Sequence, residues 1–316
     1  MMKAVVLYGK SSAESVTLSM VPVPQVKPGW VLVRVKAFGL NHSEQILRRS
    51  EIEAPYIKKP IIPGIECAGE IVDPSDSGLW EGQKVIALMG GMGRSFNGSY
   101  AEYVLVPTRQ VFPIETNLPW ELVAAVPETY YTAWGSLFGS LHVTASDTVL
   151  IRGATSALGY AAIQLAKAAG ATVIATTHRS EKLDLLKSAD RAVLDTGVLK
   201  GTVGATKALE LVGPKTLRDT LATMETGGIV CHTGVLGGVY VLDGFDPIKE
   251  IPNGVYLTGF FSNNPTQADI DAIFAFLHTH HVKPCVGAVF AFDDIASACR
   301  AQDEGTVPGK IVVQGT

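Results

Sequence analysis

The sequence predicts an α/β protein, a doubly wound parallel sheet accompanied by a small, partly open β-barrel, on three observations. Residues 1–120 are broken by Pro and Gly into short strand patterns, the texture of a small barrel. From residue 121 onward helical and apolar β patterns alternate, which implies a parallel sheet with helices on both faces. Between Thr148 and Lys182 an apolar strand stops at a turn of small residues, a helix opens, and a second strand follows, the unit that binds dinucleotides.

Taken in order, the barrel-like part holds strands expected at Lys3–Tyr8, Gly69–Val72, Gln83–Ala87, Tyr100–Pro107 and Val111–Pro113. A further strand is marked by Val31, Val33 and Val35, which alternate onto one face, as a half-buried strand requires. Helices are expected at Thr129–Ser140, Ala157–Ala169, Ser180–Ser188 and Pro214–Thr223. They alternate with apolar runs at 148–151, 171–176, 191–194, 207–212, 228–233 and 255–261. A helix over Gln267–His281 leads back to β-like sequence at Val286–Phe290 and Lys310–Val313. The organisation is therefore 1–120 with 263–316 as a barrel-like catalytic domain and 121–262 as a Rossmann dinucleotide-binding domain. Between Asp195 and Lys207 three glycines and no helix pattern occur, although a crossover connection there normally carries a helix. Residues 42–60, 88–99 and 235–253 read as loops with no legible chemistry.

The turn after the first strand of the second domain runs Gly153, Ala154, Thr155, Ser156, Ala157, Leu158, Gly159. A backbone nearly bare of side chains lets a phosphate approach, and the helix N-terminus offers it N–H groups and positive dipole. Ala154 and Ser156 stand at the first two glycine places of G-x-G-x-x-G and only Gly159 matches, so a tight strand–helix turn of another α/β protein is the alternative. The second strand ends in Thr177, His178 and Arg179, with Lys182 close behind. An acidic residue there would accept the adenosine ribose hydroxyls and repel a 2′-phosphate. Hydroxyl, imidazole and cationic groups instead point to NADP(H).

Composition narrows the class. Of 316 residues, 47% are hydrophobic and 18% charged, with a net charge of −4. That suffices for two cores and argues against a nucleic-acid or membrane-surface partner. No apolar run approaches a membrane span, and the first strand is too short for a signal-peptide core, so the cytoplasm is the expected location. Cys67, Cys231, Cys285 and Cys299 are scattered and read as buried free thiols. His278, His280 and His281 read as a solvated helix end, since no thiolate or carboxylate stands beside them at ligand spacing.

Several short strings, each weak alone, occur in a telling order: GLNHSE (39–44), PIIPGIECAGEIV (60–72), GQKV (82–85), GSYAEY (98–103), TAW (132–134), GGIV (227–230) with Gly234, and GKIVV (309–313). With the 148–170 segment they resemble, over nearly the whole chain, the zinc-free quinone oxidoreductase (zeta-crystallin-like) branch of the medium-chain dehydrogenase/reductase superfamily. The resemblance implies a chaperonin-10-like barrel beside the Rossmann domain, and a homodimer. It places Thr132 with the cofactor, Thr155, Ser156 and Leu158 along the pyrophosphate, Lys182 at the 2′-phosphate, and Gly234 and Phe261 beside the nicotinamide. Where zinc-dependent relatives carry a cysteine and a histidine ligand, this chain has Asn41 and Ile65, so no metal is expected. Asn41 is the matched candidate for polarising the acceptor, with a loop-capping amide as its alternative. Tyr130 and Tyr131 lie where the family's helix runs beside the nicotinamide, as proton donors or as core residues. At Ile46 several relatives carry a pocket tyrosine, so no specific acid is assigned.

The expected activity is transfer of hydride from NADPH to a quinone or an α,β-unsaturated carbonyl. An acceptor already electrophilic needs only positioning, a dry site and a hydrogen-bond donor for the developing oxyanion. An enoyl-thioester reductase is the alternative enzyme, with Arg48, Arg49, Lys58 and Lys59 as a cationic entrance. A non-catalytic NADPH-binding sensor or structural protein is the alternative class.

Overall fold

The ten residues from Trp30 to Gly39 form one long strand with Val31, Val33 and Val35 buried, and the first half of the molecule is built around it. The computed structural model describes residues 1–315. The chain divides into two units, one of Met1–Glu128, Asn263–His278 and the segment from Lys283 on, the other of Thr129–Ser262 with Thr279–Val282.

The first unit opens with β1 (Met2–Val5), β2 (Leu18–Val21), β3 (Trp30–Gly39), α1 (His42–Arg49), β4 (Glu66–Asp73), β5 (Lys84–Leu88), β6 (Tyr103–Pro107), β7 (Val111–Pro113) and the short α2 (Trp120–Val123). Then follow α3 (Pro127–Trp134), β8 (Thr148–Arg152), α4 (Ala157–Ala168), β9 (Thr172–Thr177), β10 (Arg191–Leu194), β11 (Ala205–Glu210), α5 (Pro214–Ala222), β12 (Met224–His232), the one-turn α6 (Pro247–Glu250) and β13 (Tyr256–Gly259). The chain ends with α7 (Gln267–Thr279), β14 (Val286–Ala291), α8 (Ile295–Glu304) and β15 (Lys310–Gln314).

In the first unit a seven-stranded sheet runs β14-β15-β3-β4-β5-β7, with β6 beside the first half of β3. All pairings are antiparallel except β14 with β15. The antiparallel pairing of β3 with β4 and with β15 brings the end of β3 and the starts of β4 and β15 together. Its core gathers Val31, Val33, Phe38, Leu47, Ile71, Val85, Val104 and Val313.

In the second unit six parallel strands run β10-β9-β8-β11-β12-β13. The order reverses between β8 and β11, and ligands of such sheets bind outside the strand C-termini at that point. One face of the sheet packs Leu150, Ile174, Ala208 and Val230 with Leu217 and Leu221 of α5. Each large side chain buried there stabilises by about 1.5–3 kcal/mol.

The fold class is as the sequence reads, with local corrections. The expected loop 42–60 contains α1, opened by Asn41 and Glu44, and a 3-10 turn at Glu51–Glu53. The expected helix 129–140 begins at Pro127, and its second half, Gly135–Ser140, is a π-helix; a side chain at Gly135 would meet the Phe260 ring at 2.0 Å. The 180–188 segment is 3-10 rather than α, over Ser180–Leu186. α8 has no counterpart in the sequence reading. The Asp195–Lys207 connection has no helix, as its composition indicates; Leu199 and Val203 anchor it in the core. Cys67, Cys231 and Cys299 are buried and Cys285 partly buried, none in a disulfide; burial pushes the Cys67 thiol up to about 12.

Candidate active site

The dinucleotide turn is built as its small residues demand. Gly153 takes φ +85°, a conformation glycine adopts without strain. Ala154 is buried and donates its N–H to the Thr176 carbonyl at 2.9 Å. A Cβ on Gly159 would lie 2.4 Å from the Ala154 carbonyl oxygen, so only a bare residue lets α4 pack this close to the turn. Ser156 caps α4: its hydroxyl accepts from the Gly159 N–H and donates to the Gly153 carbonyl, both at 3.0 Å. The N–H groups of Ala157 and Leu158, in the first helical turn, have no partner within the helix. Thr155, Ser156, Ala157 and Leu158 are partly exposed. The turn thus leaves backbone donors open at the start of α4.

Beyond β9, Thr177 is buried and its hydroxyl accepts from the Arg179 N–H at 3.2 Å. His178 and Arg179 are exposed and Lys182 partly so. Burial, and then the charge of Arg179, pull the Lys182 ammonium below the ordinary lysine range. Two cations therefore share this corner, an arrangement that a bound anion relieves.

Further along the strand ends, Gly234 donates to the Glu210 carbonyl at 3.1 Å. A Cβ there would stand 2.4 Å from the Leu211 carbonyl oxygen. Phe261 is exposed, while Tyr131 is buried edge-on to Phe260 with centroids 5.6 Å apart. Tyr130 is buried and hydrogen-bonds Gln164 of α4 through its hydroxyl. Thr132 is buried. Sequence reading passed over His232, at the end of β12, whose Nδ1 is buried without a hydrogen-bond partner; burial lowers its pKa.

In the first unit Asn41 stands at the start of α1. Glu44 accepts the Asn41 backbone N–H at 2.8 Å and the Ile65 N–H at 2.9 Å. Burial raises the Glu44 pKa against the opposing charge of Arg94. Besides standing at the cap of α1, Asn41 reaches two distant side chains. Its Nδ2 donates to Glu66 Oε1 at 2.8 Å, and its Oδ1 accepts from Lys310 Nζ at 2.6 Å. Lys310 and Glu66 form an ion pair at 2.6 Å, with side chains 1% and 0% exposed. The second Glu66 oxygen accepts the Glu128 N–H at 2.6 Å. In the sequence Glu66 counts only as a carboxylate that cannot complete a zinc site with His42, and Lys310 is unmarked within its strand string. A charged residue at the edge of an apolar strand run was the available signal.

This donor set does not fit a zinc ion. Ile65 has no ligating atom, and the Asn41 oxygen faces an ammonium group. Among the described residues no group of three or more His, Cys, Asp or Glu could hold a metal. The cations offered as a thioester entrance are largely committed, Arg48 and Arg49 to Asp303 at 2.6 and 3.0 Å and Lys59 to Glu53 at 3.0 Å. No helix among the described residues is long and apolar enough to cross a membrane.

A parallel sheet in this strand order, with a bare phosphate turn, in one chain with an antiparallel barrel, defines an alcohol dehydrogenase-type oxidoreductase. The comparisons agree. Residues 27–116 match the alcohol dehydrogenase GroES-like domain and residues 157–279 the zinc-binding dehydrogenase family. A quinone oxidoreductase of Pongo abelii is 28% identical, over 94% of this chain and 93% of its own length. A zinc-type alcohol dehydrogenase-like protein of Schizosaccharomyces pombe is also 28% identical, over 92% and 93%. Among solved structures, AibC aligns with a TM-score of 0.87 at 29% identity, covering 100% of this chain and 96% of that one. An NAD-dependent alcohol dehydrogenase aligns at 0.85 and 29%, covering 99% of each. The chain belongs to the medium-chain dehydrogenase/reductase superfamily, in its quinone oxidoreductase branch. It is an oxidoreductase of a family that binds a nicotinamide cofactor, NAD(H) or NADP(H).

Proposed function

We propose that this protein is an NADPH-dependent, zinc-independent oxidoreductase that passes hydride to a quinone or an α,β-unsaturated carbonyl. The observation that carries the reading is the Arg179–Lys182 pair beyond β9, with Thr177 and His178 at the strand end and Glu181 as the carboxylate standing between the two cations in sequence. Bound NADPH supplies the hydride, which an electrophilic conjugated acceptor takes without metal assistance. Arg179 and Lys182 hold the 2′-phosphate by charge-assisted hydrogen bonds. Gly153, Ala154 and Thr155 leave space for the pyrophosphate, and the N–H groups of Ala157 and Leu158 face it. Thr132, Gly234 and Phe261 bound the nicotinamide. Asn41 donates an Nδ2 hydrogen to the acceptor oxygen as negative charge develops there. Of the two tyrosines, Tyr130 is tied to Gln164 and Tyr131 packs edge-on to Phe260, and the proton donor is left unassigned.

The metal-free part of the reading draws support from donor chemistry: an amide bonded to a lysine, and an isoleucine, stand where ligands would be needed. The test is NADPH oxidation followed by absorbance against quinones, enones and enoyl thioesters, repeated with NADH. Turnover of quinones or enones with NADPH preferred is expected. Tight NADPH binding with no oxidation across the panel would instead indicate a non-catalytic binding protein.

A further inference from the structure

We infer that Glu66 and Lys310 are positioning residues that fix and polarise the Asn41 amide. The inference rests on the reading of Asn41 as the group that meets the acceptor oxygen. Three strand ends make the arrangement: Gly39 closes β3, Glu66 opens β4 and Lys310 opens β15. Any side chain on Gly39 would strike Lys310 Cε at 2.1 Å and Glu66 Oε1 at 2.5 Å, so the backbone is kept bare where the pair passes.

Charge dictates which way the amide faces. With Oδ1 on the Lys310 ammonium at 2.6 Å and Nδ2 on the Glu66 carboxylate at 2.8 Å, a flip would set donor against donor and acceptor against acceptor. Amide orientation is ordinarily ambiguous; here it has one solution. The ammonium draws electron density toward Oδ1, which makes the Nδ2 hydrogens better donors, and the effect is strong because the pair is buried. One Nδ2 hydrogen is anchored by Glu66. The other has only the Gly39 carbonyl at 3.4 Å, a contact too long to hold it. That hydrogen is the one presented to the acceptor.

A purely structural ion pair predicts something different. Replacing it by neutral groups of similar size is often tolerated, and such a change would then leave the reaction untouched. The test compares Asn41→Ala, the neutral double variant Glu66→Gln/Lys310→Met, and Lys310→Arg with the wild-type chain. Melting temperature, NADPH affinity, kcat and acceptor KM are measured, together with the 15N–1H resonances of the Asn41 side-chain amide. The double variant is expected to stay folded, to bind NADPH as the wild type does, and to lose roughly 10- to 100-fold in kcat, the scale of a misplaced catalytic group. Its Asn41 amide protons should move together in shift, and Lys310→Arg should recover part of both effects. Adding Asn41→Ala to the double variant should bring the loss only to that of Asn41→Ala alone, not to the product of the two.

Wild-type kcat and wild-type Asn41 resonances in the double variant, with Asn41→Ala impaired, would overturn the inference and leave the role of Asn41 standing. Wild-type kcat in Asn41→Ala would overturn both. Where no acceptor turns over, unchanged Asn41 resonances in the double variant overturn the inference by themselves. Should the double variant fail to fold, Glu66→Gln, which keeps an acceptor for both partners, serves for the same comparison.

Discussion

Arg152 grips Asp195 at two points, Nε to Oδ2 at 2.7 Å and Nη2 to Oδ1 at 2.9 Å, at the end of the central strand β8 and with the guanidinium wholly buried. Its remaining donors reach Asp219 at 2.8 Å and Thr220 at 2.9 Å. Asp219 in turn accepts the N–H groups of Leu199 and Lys200. The hub therefore fastens the helix-free connection between β10 and β11. Asp195→Asn should destabilise the fold by about 3 kcal/mol, the low end for breaking a buried pair, because Asp219 still holds the guanidinium. Urea denaturation checks it.

The same carboxylate gives a pH dependence. Burial raises the Asp195 pKa, but the Arg152 hydrogen bonds, the Gly197 N–H and the Arg152 charge outweigh burial and hold it below the ordinary value of 3.8. A depressed folded pKa means stability that is present above the unfolded value and lost as pH falls through the folded one. Acid unfolding below pH ~4 should thus have a component that Asp195→Asn lacks, read from melting temperatures across that range.

Gly159→Ala is expected to destabilise by about 1–3 kcal/mol, as overpacking does, because the obstacle is the Ala154 backbone rather than a flexible side chain. Nicotinamide cofactor affinity should fall with it. Calorimetric melting and a fluorescence titration test the two effects separately.

Arg179→Ala should weaken NADPH binding by about 1.5–3 kcal/mol, the range for a charge-assisted hydrogen bond, and leave NADH nearly unaffected. Equal losses for both cofactors would contradict the 2′-phosphate assignment.

Asn41→Ala should lower kcat by about 10²–10³, as loss of an oxyanion donor does, with NADPH affinity nearly intact. Exhaustive chelation should leave turnover unchanged; activity lost to chelator and restored by zinc would remove the metal-free reading.

Much of the second unit was legible because its signals are local. Val149 to Ile151, the bare turn and the α4 pattern lie within a few residues of one another, and the observed strand ends at Arg152 and the cap at Ser156 follow. The helices at 42–49 and 295–304 were not legible. The first is short and charged, with Glu44, Gln45 and Arg48 buried by distant partners; Arg48, for instance, is held by Asp303. A buried charge disguises an amphipathic face when only hydrophobicity is read.

The sequence by itself determined the architecture and the bare strand–helix turn after β8, since periodicity and turn chemistry act between near neighbours. Tertiary structure alone decided that the Asn41 amide is clasped by Glu66 and Lys310, partners 25 and 269 positions away. It likewise decided that Arg152 binds together Asp195 and Asp219. Such contacts depend on which strand ends converge, and strand convergence follows from sheet pairing over the whole chain, which no local pattern encodes.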